Sequence, residues 1–134
     1  MHSALEQQVR RRAEDTCEYC RLPESVSDLP HVLDHVIARQ HSGETLPENL
    51  ALACSRCNLH KGPNIAGIDP VTNRLTRLFH PRIDTWGDHF KWDGATLIGL
   101  TELGRATVAV LAMNHPYRLT AREALLAAGK IRLA

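Results

Sequence analysis

Two C-x-x-C pairs, Cys17-Glu18-Tyr19-Cys20 and Cys54-Ser55-Arg56-Cys57, bracket a segment that carries Asp34-His35 and Asn49. Asn58 and Lys61 follow directly after the second pair. A two-residue gap lets both sulfurs of a pair turn towards one ion, and two such pairs close a tetrahedral Zn²⁺ sphere at about 2.3 Å. A closed sphere of thiolates leaves no open position, so the expected role is structural. Two disulfides or four unrelated thiols are the alternatives for four cysteines, but paired C-x-x-C spacing favours zinc.

The remaining polar residues suit phosphodiester hydrolysis, which needs a base for water and a cation on the phosphate. Asp34 offers a hard oxygen ligand for Mg²⁺ or Mn²⁺. His35 points to the opposite side of an ideal strand and is the natural general base. Asn58, in the first turn of the next helix, can add a neutral amide oxygen to the metal site. Asn49 is expected to tether the loop near His35 and so orient the imidazole. Lys61 is expected to meet phosphate charge. Between Cys54 and Arg82 there are five basic residues, Arg56, Lys61, Arg74, Arg77 and Arg82, against Asp69 alone. Arg56, Arg74 and Arg77 are the further candidates for nucleic-acid contact. His31 is expected on a strand surface, and His60 either faces the site or lies outside it. His2, His41, His80, His89 and His115 read as surface or turn residues, and Trp86 and Trp92 as satellite-core aromatics.

These residues must be held by a small set of elements. Ser3 with Glu6 forms a capping box for a helix from Ala4 to about Asp15, with Arg10, Arg11 and Arg12 on a solvated face. Residues 31–37 are β-branched enough for a strand, and Leu50 to Ala53 suit a second. Ser55 opens a helix that stops at Gly62-Pro63. The stretch 63–82 reads as loop-rich. Residues 90–100 read as a hairpin turning at Asp93-Gly94 in a type I′ turn. Thr101 can cap a largely buried helix to about Met113. Thr120 with Glu123 opens a last helix to about Ala128, stopped by Gly129.

The bulk numbers bound the partners. A net charge of +1 gives no global basic field, so nucleic-acid binding depends on a local surface. No apolar run approaches the length of a membrane span, and the first residues lack an apolar signal region, so the expected compartment is the cytoplasm. At 134 residues the chain fits one domain, with a core of about 17–62 and an elaboration of about 63–134.

C-E-Y-C, then D-H-V-I, E-N-L and C-S-R-C-N-L-H-K-G together resemble the HNH endonuclease family of the ββα-metal superfamily. The downstream G-P-N-I-A-G-I-D-P, L-F-H-P-R, W-G-D-H-F-K-W and G-L-T-E-L-G-R-A-T-V are similar to a recurrent group of small bacterial HNH proteins. The resemblance implies an α+β chain with a ββα-metal core stapled by Cys₄ zinc, an N-terminal helix, and a C-terminal hairpin with two helices. It implies a metal-dependent nuclease, usually on DNA, with RNA left open. His35 matches the family's general base, Asp34 and Asn58 its catalytic-metal ligands, and Asn49 its middle asparagine. Asn58 stands where histidine is frequent, and Ala38-Arg39 where proline is frequent. The rival expectations are a zinc-stabilised nucleic-acid-binding module without catalysis, and a protein-interaction zinc module.

Overall fold

The computed structural model describes residues 2–133. It is an α+β structure of helices and small antiparallel sheets, and the chain forms two compact units. The first runs through Ile65 and takes in His80–Ile83, and the second holds Ala66–Phe79 and the chain from Asp84 on. Among the described residues, no helix is long and apolar enough to cross a membrane.

The first unit opens with α1 (Ala4–Ala13), whose N-cap Ser3 side chain accepts the Glu6 N–H. It ends two residues before the expected Asp15, because Glu14 and Asp15 both take positive φ. Strands β1 (Val32–His35) and β2 (Leu50–Ala53) pair antiparallel, with Asp34 opposite Ala51 and His35 opposite Leu50. Helix α2 (Ser55–Lys61) follows at once and stops at Gly62. Val9 of α1 packs on Leu50 and Leu52, flanked by Leu5, Ala13 and Leu33, so one helix covers the fully buried strand β2. Burying these aliphatic side chains contributes roughly 1.5–3 kcal/mol each, before ordering costs.

Two residues expected on the surface are interior. Arg10 is buried; its guanidinium donates to Glu6, Glu24 and the His31 carbonyl, which replaces the water it gives up. Arg12 reaches the carbonyls of Pro47 and Leu50, tying α1 to the start of β2. His31 is 2% exposed, and its Nε2 lies 2.8 Å from the Leu22 carbonyl, an acceptor only, so that nitrogen carries the proton.

In the second unit the stretch expected as loop contains a hairpin, β3 (Ala66–Ile68) with β4 (Leu75–Arg77). Its strands are three residues each and leave Ile68 and Leu75 exposed, so no alternation marks them in the sequence. At its bend the buried Asp69 carboxylate accepts Nε and Nη2 of Arg105 at 2.9 and 2.8 Å, with Val71 N–H and the Thr72 hydroxyl beside them. The Arg105 guanidinium holds the Asp69 carboxyl well below its ordinary value.

A short helix α3 (Trp86–His89) leads into the hairpin β5 (Phe90–Asp93) and β6 (Thr96–Gly99). Asp93 pairs with Thr96, so the two turn residues are Gly94 and Ala95, and Gly94 has φ +59 while Ala95 is not left-handed. That is the pattern of a type II′ turn with glycine first, one residue on from the expected type I′ turn at Asp93-Gly94. Trp86, Phe90 and Trp92 form a tilted stack with centroids 5.1 and 6.0 Å apart, capped by the Arg122 guanidinium 5.1 Å from the Trp92 ring. These rings pack as the expected satellite core.

Helix α4 (Glu102–Val110) starts at the Thr101 cap and ends three residues short of Met113. A Cβ on Gly104 would sit 2.1 Å from the His89 carbonyl, so this face of α4 is in backbone contact with the hairpin. Helix α5 (Pro116–Ala127) begins four residues before the expected Thr120, because His115 caps it through the Tyr117 N–H and Pro116 takes the first turn.

Candidate functional site

The four cysteine sulfurs lie within 4.8 Å of one another, all buried, and all four residues are free thiols. A tetrahedral Zn²⁺ with bonds of about 2.3 Å sets its ligand sulfurs about 3.8 Å apart. Cys20 Sγ and Cys54 Sγ are 3.6 Å apart, which fits that edge. The two knuckles are built alike: the Cys20 N–H donates to Cys17 Sγ and the Cys57 N–H to Cys54 Sγ, each at 3.4 Å. Burial pushes the Cys17 and Cys57 thiols well above their ordinary values, so thiolates here need a cation for compensation, which zinc supplies. Glu18 locks the first knuckle to β2, exchanging 2.8 Å bonds with both the N–H and the carbonyl of Leu52 and receiving the Arg82 guanidinium.

Asp34 and His35 diverge as strand neighbours must. Asp34 is 4% exposed and points inward, where Oδ2 accepts the Tyr19 hydroxyl at 2.6 Å. Burial raises the Asp34 carboxyl above its ordinary value, against the pull of Lys61 and Tyr19. His35 is half-buried, and its Nε2 lies 2.8 Å from Thr45 Oγ1. No local motif marks Thr45 in the sequence; it reaches His35 through the folding of the loop between β1 and β2.

That loop is held by Asn49. Its Oδ1 accepts the Ile37 N–H at 2.9 Å, and its Nδ2 donates to the carbonyls of Ile37 and Glu44 at 3.0 and 2.8 Å. Gly43 donates to the Ala38 carbonyl at 3.0 Å, and a Cβ there would lie 1.7 Å from the Ile37 carbonyl oxygen. The loop closes only with glycine at that point.

Asn58 is half-buried in α2, its N–H on the Cys54 carbonyl at 3.0 Å. Cys54, Asn58 and Lys61, at i, i+4 and i+7, share one helix face. Lys61 shows where that face points, because its Nζ is 3.1 Å from Asp34 Oδ2 on β1 and 3.1 Å from each of the His35 and Val36 carbonyls. Lys61 is 1% exposed, which differs from the expected phosphate contact. A buried ammonium already engaged by four oxygens has no proton left for a solvent phosphate.

Arg56 and His60 are on the exposed side of α2. Arg74 and Arg77 belong to the second unit, where Arg74 lies 3.4 Å from Glu102 and Arg77 makes a two-pronged bond to Asp84 at 2.8 Å. The structure therefore gathers Asp34, His35, Asn49, Asn58 and Lys61 on the β1–β2–α2 unit and adds Tyr19 and Thr45, which sequence patterns do not single out.

Residues 17–64 match the family model described as HNH endonuclease. No curated protein and no solved structure matches the chain. The matched segment runs from the first zinc-knuckle cysteine to just past α2 and so contains the whole constellation described above. Residues 17–64 are thus similar to an HNH endonuclease domain, and the four cysteines within them fit a zinc-binding member of that family.

Proposed function

We propose that this protein is a metal-dependent endonuclease that hydrolyses phosphodiester bonds in DNA, with His35 as the general base. The observation that carries the reading is the His35 imidazole, fixed through one nitrogen by Thr45 inside the matched segment, next to a carboxylate that faces α2. When Nε2 donates to Thr45 Oγ1, Nδ1 keeps its lone pair and can take a proton from an attacking water.

Asp34 and Asn58 are the residues that would hold a catalytic divalent ion. A carboxylate oxygen and an amide oxygen on facing elements are a donor set suited to Mg²⁺ or Mn²⁺. The carboxylate offers about four lone-pair directions, and Tyr19 and Lys61 do not use all of them. Such an ion supplies positive charge to the phosphoryl oxygens and the leaving oxygen. Asn49 keeps the loop, and with it Thr45, in place around His35. Arg56 on the exposed side of α2, with Arg74 and Arg77, is assigned to the nucleic-acid backbone.

Burial of Asp34 in an ion pair favours one rival, a zinc-stabilised nucleic-acid-binding module in which Asp34 is structural. The two separate in one assay on zinc-loaded protein: conversion of supercoiled plasmid to the nicked form with Mg²⁺, Mn²⁺ or chelator, with an RNA substrate in parallel. Nicking that needs the added divalent ion supports the endonuclease. Salt-sensitive DNA binding with no nicking in any metal supports the module.

A further inference from the structure

Among the described residues Lys61 is the one fully buried lysine, and its ammonium sits in a cage of oxygens. Asp34 Oδ1 and Oδ2 lie at 3.3 and 3.1 Å from Nζ, and the His35 and Val36 carbonyls at 3.1 Å each. Three N–H groups face four acceptors, so the carboxylate is shared and the two carbonyls alone already give the ammonium most of its hydrogen bonding. The cage lies on the carboxylate that we assign to the divalent ion, and a monovalent cation there opposes a second cation by Coulomb repulsion in a poorly solvated setting.

We propose that Lys61 is a resident counter-cation of the metal site: it holds the Asp34 carboxylate in the metal-free protein and cedes it when a divalent ion binds, thereby setting the metal affinity. The proposal rests on the reading that Asp34 is a metal ligand. On release the ammonium keeps the His35 and Val36 carbonyls, so the strand end that carries the base stays anchored in both states. The device keeps a buried carboxylate compensated without metal, where a lone buried charge would be costly.

The test is Mn²⁺ binding by calorimetry to zinc-loaded wild type, Lys61→Met and Asp34→Asn, each checked for zinc content and circular dichroism. The expected result is Mn²⁺ binding at least about tenfold tighter in Lys61→Met, since a nearby like charge is gone, and lost in Asp34→Asn. Equal or weaker binding in Lys61→Met, with binding lost in Asp34→Asn, overturns the counter-cation role and leaves the metal assignment standing. Unchanged binding in Asp34→Asn overturns both. If Lys61→Met does not fold, the wild type decides: saturable Mg²⁺-induced shifts of the Lys61 side-chain NMR signals support the exchange, and signals that stay fixed at saturation overturn it.

Discussion

At His35 one hydrogen bond decides whether an imidazole is a useful base. The ring is held at Nε2 by Thr45 Oγ1 at 2.8 Å, and the tautomer that donates to Thr45 leaves the other nitrogen unprotonated. Removing a group that orients a functional side chain typically costs about 10–100-fold. Thr45→Val is therefore expected to lower the nicking rate by about that factor, and Thr45→Ser, which restores the hydroxyl, to recover most of it. DNA affinity and melting temperature should stay at the wild-type level in both variants, which a general loss of stability would not produce. Thr45 was not legible in the sequence because its contact spans ten residues of polar loop and follows no periodicity. The cysteine cluster was legible because two-residue gaps turn paired sulfurs to one point, and the divergence of Asp34 and His35 because strand neighbours face opposite sides. Lys61 stood in the right place in the motif, but only three-dimensional packing shows that its ammonium turns inward.

At the scale of elements, a β-hairpin loop and a turn each depend on one polar side chain. Asn49 makes three bonds to loop backbone, and Asn49→Ala would leave the half-buried Ile37 N–H and carbonyl without their partner. The expected cost is about 1–3 kcal/mol, read as a lower denaturation midpoint with an unchanged slope, together with lost nicking. In the second unit Asp69 holds the β3–β4 bend to Arg105. Its folded carboxyl lies below its ordinary value, so the pair contributes fully above the unfolded carboxylate range, and the contribution fades as pH falls towards the folded value. Thermal melts of Asp69→Asn should thus fall below wild type at neutral pH, with the gap narrowing in acid. The Ser3/Glu6 capping box located α1 and the Thr101 cap located α4 in the sequence, because side-chain caps are local. The β3–β4 hairpin and the early start of α5 were hidden, the first by very short strands with exposed apolar residues, the second by a histidine cap that competes with a conventional Thr-x-x-Glu signal.

For the whole molecule the cysteine cluster joins the first knuckle to the β2–α2 junction, and Glu18 adds a second tie to β2. Structural zinc contributes folding free energy outright, so its removal should unfold the first unit. A strong chelator at neutral pH is expected to lower the melting temperature and abolish nicking, and one equivalent of Zn²⁺ per chain to restore the fold but not the activity. Activity should return only with Mg²⁺ or Mn²⁺ as well. Fold class and zinc site were readable at this scale because two C-x-x-C pairs restrict the topology between them. The most direct test of the account is plasmid nicking by His35→Ala beside wild type, at matched zinc content and with Mg²⁺ or Mn²⁺ present. Loss of a general base should slow the reaction by about 10²–10⁴-fold while DNA affinity is retained. Nicking by the variant at the wild-type rate would contradict the assignment of His35 and the catalytic reading built on it.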